Sequence, residues 1–137
     1  MKSKNLGRVT LAALPFVLAL LIDLTLCAVV ADRLPDRLAV HFDAGGTANG
    51  HLSSTAYLLY TVSSLLVLGA LWAFIGVNGK LYGRSHRWFI GGGFAVAAFL
   101  GYLLTAVLFV NVDAPEGGPV DGFPLRHIVV ALGAAVR

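Results

Sequence analysis

The sequence is short of what a water-facing surface needs. Charged side chains make up 12% of its 137 residues and only seven are acidic, where about 25% charge is usual in soluble domains. A surface so poor in charge cannot cover a chain that is 58% hydrophobic, so much of its exterior must face an apolar medium, the lipid bilayer. The lone cysteine, Cys27, has no intrachain partner and excludes a disulfide scaffold. An acidic disordered tail and a coiled coil are excluded by the same composition. No Ser/His/Asp set, HExxH helix, Gly-rich phosphate loop or paired intramembrane carboxylate is present, so an enzyme is not expected and no cofactor is implied. The pI near 9.4 suggests nucleic acid only if the positive charges cluster. They lie instead beside apolar runs, divided by lipid-length segments, which excludes a nucleic-acid partner.

What is present is apolar sequence in runs. Segments 9–31, 56–77 and 89–112 hold 23, 22 and 24 residues, and at 1.5 Å per residue each crosses a hydrocarbon core of roughly 30 Å. The expected fold is an all-α integral membrane protein, a single membrane domain over 1–137 with three transmembrane helices and a structured extracytoplasmic loop, 32–55. A last apolar run, 128–136, covers about half a bilayer and reads as the start of a truncated fourth span. The first run follows Lys2, Lys4 and Arg8 as a secretory signal does, but it exceeds the 7–15 residues of a signal core, so a retained anchor is expected.

Orientation follows from Lys and Arg in the short flanking segments. Lys2, Lys4 and Arg8 precede the first run, and Lys80, Arg84 and Arg87 join the second to the third, with no acid in either segment. Arg33, Arg37 and Arg126 lie on the other side with every acid outside a span: Asp32, Asp36, Asp43, Asp113, Glu116 and Asp121. The expectation is a multi-pass cell-membrane protein, amino terminus cytoplasmic, with Tyr57, Tyr60, Tyr82 and Trp88 in the interfacial belts.

Asp23 is the one ionisable residue inside a span, and it must face protein or water. It stands in a four-residue row, Ala19, Asp23, Cys27 and Ala31. Counted by depth, Ser63 and Ser64 in the second span and Thr105 in the third share its level, predicting a polar layer in which they hydrogen-bond its carboxyl. Such a layer serves as an interhelical hydrogen bond or, alternatively, as a proton or ligand site. Gly93, Ala97, Gly101 and Thr105 form a small-residue row in the third span, suited to close packing within the chain or to a homo-oligomer through that helix.

In the long loop, Pro35, Gly45-Gly46 and Asn49-Gly50 supply turn chemistry. Between them Leu38, Val40 and Phe42 alternate with Ala39, His41 and Asp43, a strand-like pattern in which the second set projects together. His41, Asp43 and His51 match no tight metal-ligand spacing, so no metal site is assigned.

The stretch Leu34-Pro35-Asp36-Arg37-Leu38-Ala39-Val40-His41-Phe42-Asp43-Ala44-Gly45-Gly46 resembles the LPDRIPVHFNxxGxPDGxxSK segment of a bacterial membrane domain of unknown function. That domain is also found in the immunity protein family for the sporulation-delaying toxin, where the motif likewise follows a first membrane helix. The similarity covers about residues 9 to 77. Here Ala39 stands where Pro is usual, Thr47-Ala48-Asn49-Gly50 replaces the Pro-Asp-Gly turn, and Ser53-Ser54 lacks the closing Lys. The resemblance implies a multi-span protein and, in its best-known member, toxin immunity with membrane sequestration of a repressor. Leu34, Pro35, Asp36, Arg37, His41, Phe42 and Gly45, with Asp43 beside them, become a candidate recognition surface.

The expected function is therefore that of a non-enzymatic membrane protein, of immunity or signalling type, whose outer loop recognises a peptide, toxin or protein partner. The alternatives are a small transporter or proton-coupled component centred on Asp23, or a structural subunit of a larger membrane assembly.

Overall fold

The computed structural model describes residues 2–115; the fourth span expected at 128–136, with Glu116, Asp121 and Arg126, lies outside the described residues. Three helices carry the chain: α1, Lys2–Val30, α2, Ser54–Asn78, and α3, Gly83–Asn111. Each belongs to a stretch long and apolar enough to cross a membrane. α1 and α3 begin several residues before the apolar runs do, because helical hydrogen bonds continue through the interface where the basic residues sit. Pro15 lies inside α1 without ending it; its missing N–H leaves one carbonyl free, which membrane helices tolerate.

α1 packs along both α2 and α3, whereas α2 and α3 meet each other little. Small residues permit the approach. A Cβ on Gly69 would lie 3.2 Å from Phe16 Cβ, one on Gly76 3.3 Å from Ala12 Cβ, and one on Gly101 3.5 Å from Ala19 Cβ. A Cβ on Gly93 would lie 2.6 Å from Trp72 Nε1. That indole stacks on Phe89 and donates to the Phe89 carbonyl at 3.1 Å. Gly93, Ala97 and Gly101 therefore pack within the chain, with Ala97 buried. Outward faces carry Val29, Val67 and Phe74 at more than 60% exposure, the arrangement of helices solvated by lipid.

Between α1 and α2 the chain makes a 3₁₀ turn, Ala31–Arg33, and then a hairpin of β1, Arg37–Phe42, and β2, Ala48–Ser53. The strands pair antiparallel, with register shifts on either side of His41. The turn is built on Asp43: its Oδ1 accepts from Gly45 N at 2.9 Å and Thr47 N at 3.0 Å, and its own N–H donates to Thr47 O. Gly46 takes a φ of +83°, a conformation that glycine adopts without steric cost. Two expectations change here. Asn49-Gly50 lies in β2, not in a turn, and Asp43 folds back onto the turn amides instead of projecting beside His41. Gly50 is needed because His41 crosses it, so that a Cβ would lie 2.9 Å from His41 Cβ.

Ser53 caps α2, its hydroxyl accepting from Ala56 N at 3.2 Å. Ser54 N donates back to Asp36 O at 3.1 Å, closing the foot of the hairpin. At the opposite end Gly79 N caps α2 on Ile75 O at 2.7 Å, and a short connection leads into α3.

Candidate functional site

The hairpin is fastened to the bundle by side chains that the spacing of apolar residues does not reveal. Asn111, in the last turn of α3, is fully buried. Its Oδ1 accepts from Ala39 N at 2.8 Å and its Nδ2 donates to Ala39 O at 2.9 Å and to Val107 O at 2.7 Å. The amide thus occupies the outer edge of β1 as a neighbouring strand would. This explains why Leu38 and Ala39, consecutive in the strand, are both fully buried, where simple alternation places Ala39 outward with His41. Leu38 enters the core; Ala39 is covered by α3.

A second fastening joins the ends of α1 and α3. Asp113 N donates to Arg33 O at 2.8 Å, and the Asp113 carboxylate accepts from Arg33 Nε at 3.1 Å and from its second guanidinium nitrogen. Asp113 holds a φ of +60°, unusual for a residue with a Cβ. Both side chains are exposed, and hydrogen bonding from Arg33 holds the Asp113 carboxyl below its ordinary range.

Beneath the hairpin a groove of about 170 Å³ opens between β1, β2, α2 and α3, lined by Val40, His41, Leu52, Tyr57, Tyr60, Leu104 and Val107. His41 and Tyr60 are its exposed lip. Tyr57 forms its floor: it is 3% exposed and its hydroxyl donates to Leu104 O at 2.9 Å, so it belongs to the core and not to an interfacial belt. A smaller cavity of about 110 Å³ on the far side of Tyr57 is lined in part by Cys27, Leu34 and Leu38.

The motif residues take different duties. Leu34 packs on the core. Pro35 is buried, and the Pro35 and Asp36 carbonyls accept from Ser54 Oγ at 3.3 and 3.4 Å. Arg37, His41 and Gly45 are exposed, and Phe42 is half-buried. Much of the Leu-Pro-Asp-Arg box therefore seats the hairpin on the helix ends, while His41 lies at the groove. His51, opposite Ala39 in the register, is also exposed.

The intramembrane layer forms with different members. Thr105 Oγ1 donates to Asp23 Oδ1 at 3.1 Å, and Asp23 is 1% exposed. Ser63 and Ser64 do not join it: their hydroxyls donate to Tyr60 O and Thr61 O at 3.2 and 3.1 Å, within their own helix. α2 turns Tyr57, Thr61 and Leu65 inward. Ser64 lies about 60° around the helix from Thr61, and Ser63 faces outward. Among the described residues, Asp23 Oδ2 and Thr61 Oγ1 are buried without a hydrogen-bond partner. No group of three His, Cys, Asp or Glu side chains placed to hold a metal occurs among the described residues.

Asn111, Asp113 and Thr61 are the residues that sequence reasoning missed. A signal existed for the first: an amide inside an apolar run must find a partner, since lipid offers none.

Comparison with known proteins adds one finding. Residues 18–67, from the middle of α1 through the hairpin into α2, match the family described as a domain of unknown function, DUF1648. No curated protein and no solved structure matches the chain. The chain is thus a mostly helical protein with three helices fit to cross a membrane and a region similar to that domain.

Proposed function

We propose that this is a non-enzymatic membrane protein of immunity or signalling type, in which the hairpin binds an extended segment of a peptide, toxin or protein partner on the outer side of the cell membrane. The carrying observation is an asymmetry of edges. The outer edge of β1 is closed by Asn111 through both backbone groups of Ala39. Among the described residues β2 has no strand on its other side, the sheet there being two-stranded. In an antiparallel pair, opposite residues turn their backbone groups either toward each other or both away. Since Ala39 directs its groups to Asn111, His51 opposite it directs its own to the open edge. An added strand takes main-chain hydrogen bonds there and seats an apolar side chain in the groove, the recognition mode of strand addition. The Lys and Arg distribution supports the orientation, and the Leu-Pro-Asp-Arg and His-Phe motif supports kinship with the immunity-type domain.

The test is partner capture from membranes by purified protein carrying His41→Ala, Phe42→Ala or His51→Pro. Proline at 51 removes a donor aimed at the open edge and leaves the pairing with β1 intact. Loss of capture with normal membrane insertion is expected; unchanged capture in all three variants refutes the reading.

A second reading rests on Asp23, whose Oδ2 is buried without a partner among the described residues, as in a site built to take a proton or a ligand. Here Asp23→Asn abolishes a measurable flux in proteoliposomes. An unchanged flux leaves the carboxyl a structural hydrogen-bond acceptor.

A further inference from the structure

The end of the bundle opposite the hairpin gathers positive charge from two separate helices. Arg8 of α1 lies over the Tyr82 ring, 5.8 Å from its centroid, which brings it to the start of α3. There Arg84, His86 and Arg87 follow one another within the first turns, and with Arg8 and Tyr82 they line a cleft of about 470 Å³. A second cleft, of about 520 Å³, lies on the other side of Arg84 and Arg87 and is bounded by Trp88. Among the described residues no carboxylate pairs with Arg8, Arg84 or Arg87, and no acid occurs in 2–8 or 77–94.

This arrangement is electrostatically incomplete. α3 starts without a side-chain cap and without an acid in its first turn, so the positive pole of its dipole faces the same space as three arginines. Cations at that pole repel it, whereas an anion relieves both the dipole and the side chains. Arginine forks match the oxygens of a phosphate. Tyr82 and Trp88 are 70% and 76% exposed, at the ends of helices fit to cross a membrane, the depth at which aromatic rings meet lipid headgroups.

We propose that this cleft binds a phosphate-bearing anion and that its source is the headgroup of an anionic phospholipid. The arginines grip the phosphate, Arg8 ties the start of α1 to the start of α3 through the same ligand, and Trp88 and Tyr82 flank the acyl-chain side. The alternative source of the same chemistry is soluble phosphate.

The experiment is native mass spectrometry of the protein from mixed micelles holding equal phosphatidylglycerol and phosphatidylcholine, repeated with millimolar inorganic phosphate. Arg84→Gln/Arg87→Gln is compared with Lys4→Gln/Lys80→Gln, which removes the same charge from exposed positions outside both clefts. Wild type is expected to retain phosphatidylglycerol selectively. The arginine variant should lose on the order of tenfold more of that selectivity than the lysine variant, the value of a charge-assisted contact. If Arg84→Gln/Arg87→Gln fails to fold, Arg8→Gln against Lys4→Gln applies the same criterion from α1. Equal losses in both members of a pair, or no preference for phosphatidylglycerol in wild type, overturn the proposal. Displacement of the lipid by inorganic phosphate assigns the cleft to the soluble anion and overturns the lipid source.

Discussion

Replacing Asn111 by alanine isolates the clamp that holds the hairpin. Asn111 satisfies both backbone groups of Ala39 at 2.8 and 2.9 Å, and both residues are fully buried. Its third bond, to Val107 O, joins a carbonyl placed to accept the ordinary helical bond as well, so its loss is minor. Truncation leaves one buried N–H and one buried C=O unpaired, at about 1–3 kcal/mol each, or about 2–6 kcal/mol together. At 1.36 kcal/mol per decade, even the lower figure raises the opening equilibrium about 30-fold. The observable is hydrogen exchange at the Ala39 amide in nanodiscs, with the mid-helix amides of α2 as reference. Asn111→Ala is expected to accelerate Ala39 by at least that factor and leave the reference amides nearly unchanged. Asn111→Asp separates the two bonds: a carboxylate accepts from Ala39 N–H but repels Ala39 O, so it should not rescue. Unchanged exchange at Ala39 in Asn111→Ala would refute the clamp.

Other outcomes follow from the same packing. Gly93→Ala sets a methyl 2.6 Å from Trp72 Nε1 and should cost about 1–3 kcal/mol by overpacking, read as a lower melting temperature with a shifted tryptophan emission; an unaltered spectrum argues against the contact. Thr105→Val removes the hydrogen bond to Asp23 and should destabilise the bundle by about 0.6 kcal/mol, and at most roughly 1.7, as such bonds do in membranes. A larger loss means that the Asp23 layer does more than join α1 to α3. The Arg33–Asp113 latch is sensitive to acid. Because Arg33 lowers the Asp113 pKa, its contribution is complete above the ordinary carboxylate value near 3.9 and is lost as pH falls below that through the folded value. Exchange at the Asp113 amide should rise in that window in wild type and stay flat in Asp113→Asn; equal profiles would discard the latch.

Much of the candidate site was legible only in outline. The Leu38 to Phe42 alternation announces β1, yet Ala39 behaves as a core residue because α3, 72 positions further along, brings an amide to its backbone. Depth counting finds the Asp23 layer and Thr105 but selects Ser63 and Ser64 in α2, since depth ignores which face of a helix turns inward. Tyr57 reads as an interfacial aromatic by its place near a helix end, and only packing of α2 on α1 and α3 makes it the floor of the groove. The Asp43 carboxylate, plausible as a projecting ligand, is consumed by the turn it builds.

Sequence alone determined that three helices are long and apolar enough to cross a membrane, in what order, and where charge gathers at their ends, because an apolar run of bilayer length satisfies its backbone within its own segment only as a helix. It also marked Asp23 as a residue that must turn away from lipid. The tertiary structure decided which polar groups meet: Thr105 with Asp23, Asn111 with Ala39, Asp113 with Arg33, and Arg8 with the start of α3. Those pairings depend on the rotation of each helix about its axis. In lipid that rotation is set by close contacts of small residues and interhelical hydrogen bonds rather than by hydrophobic pattern.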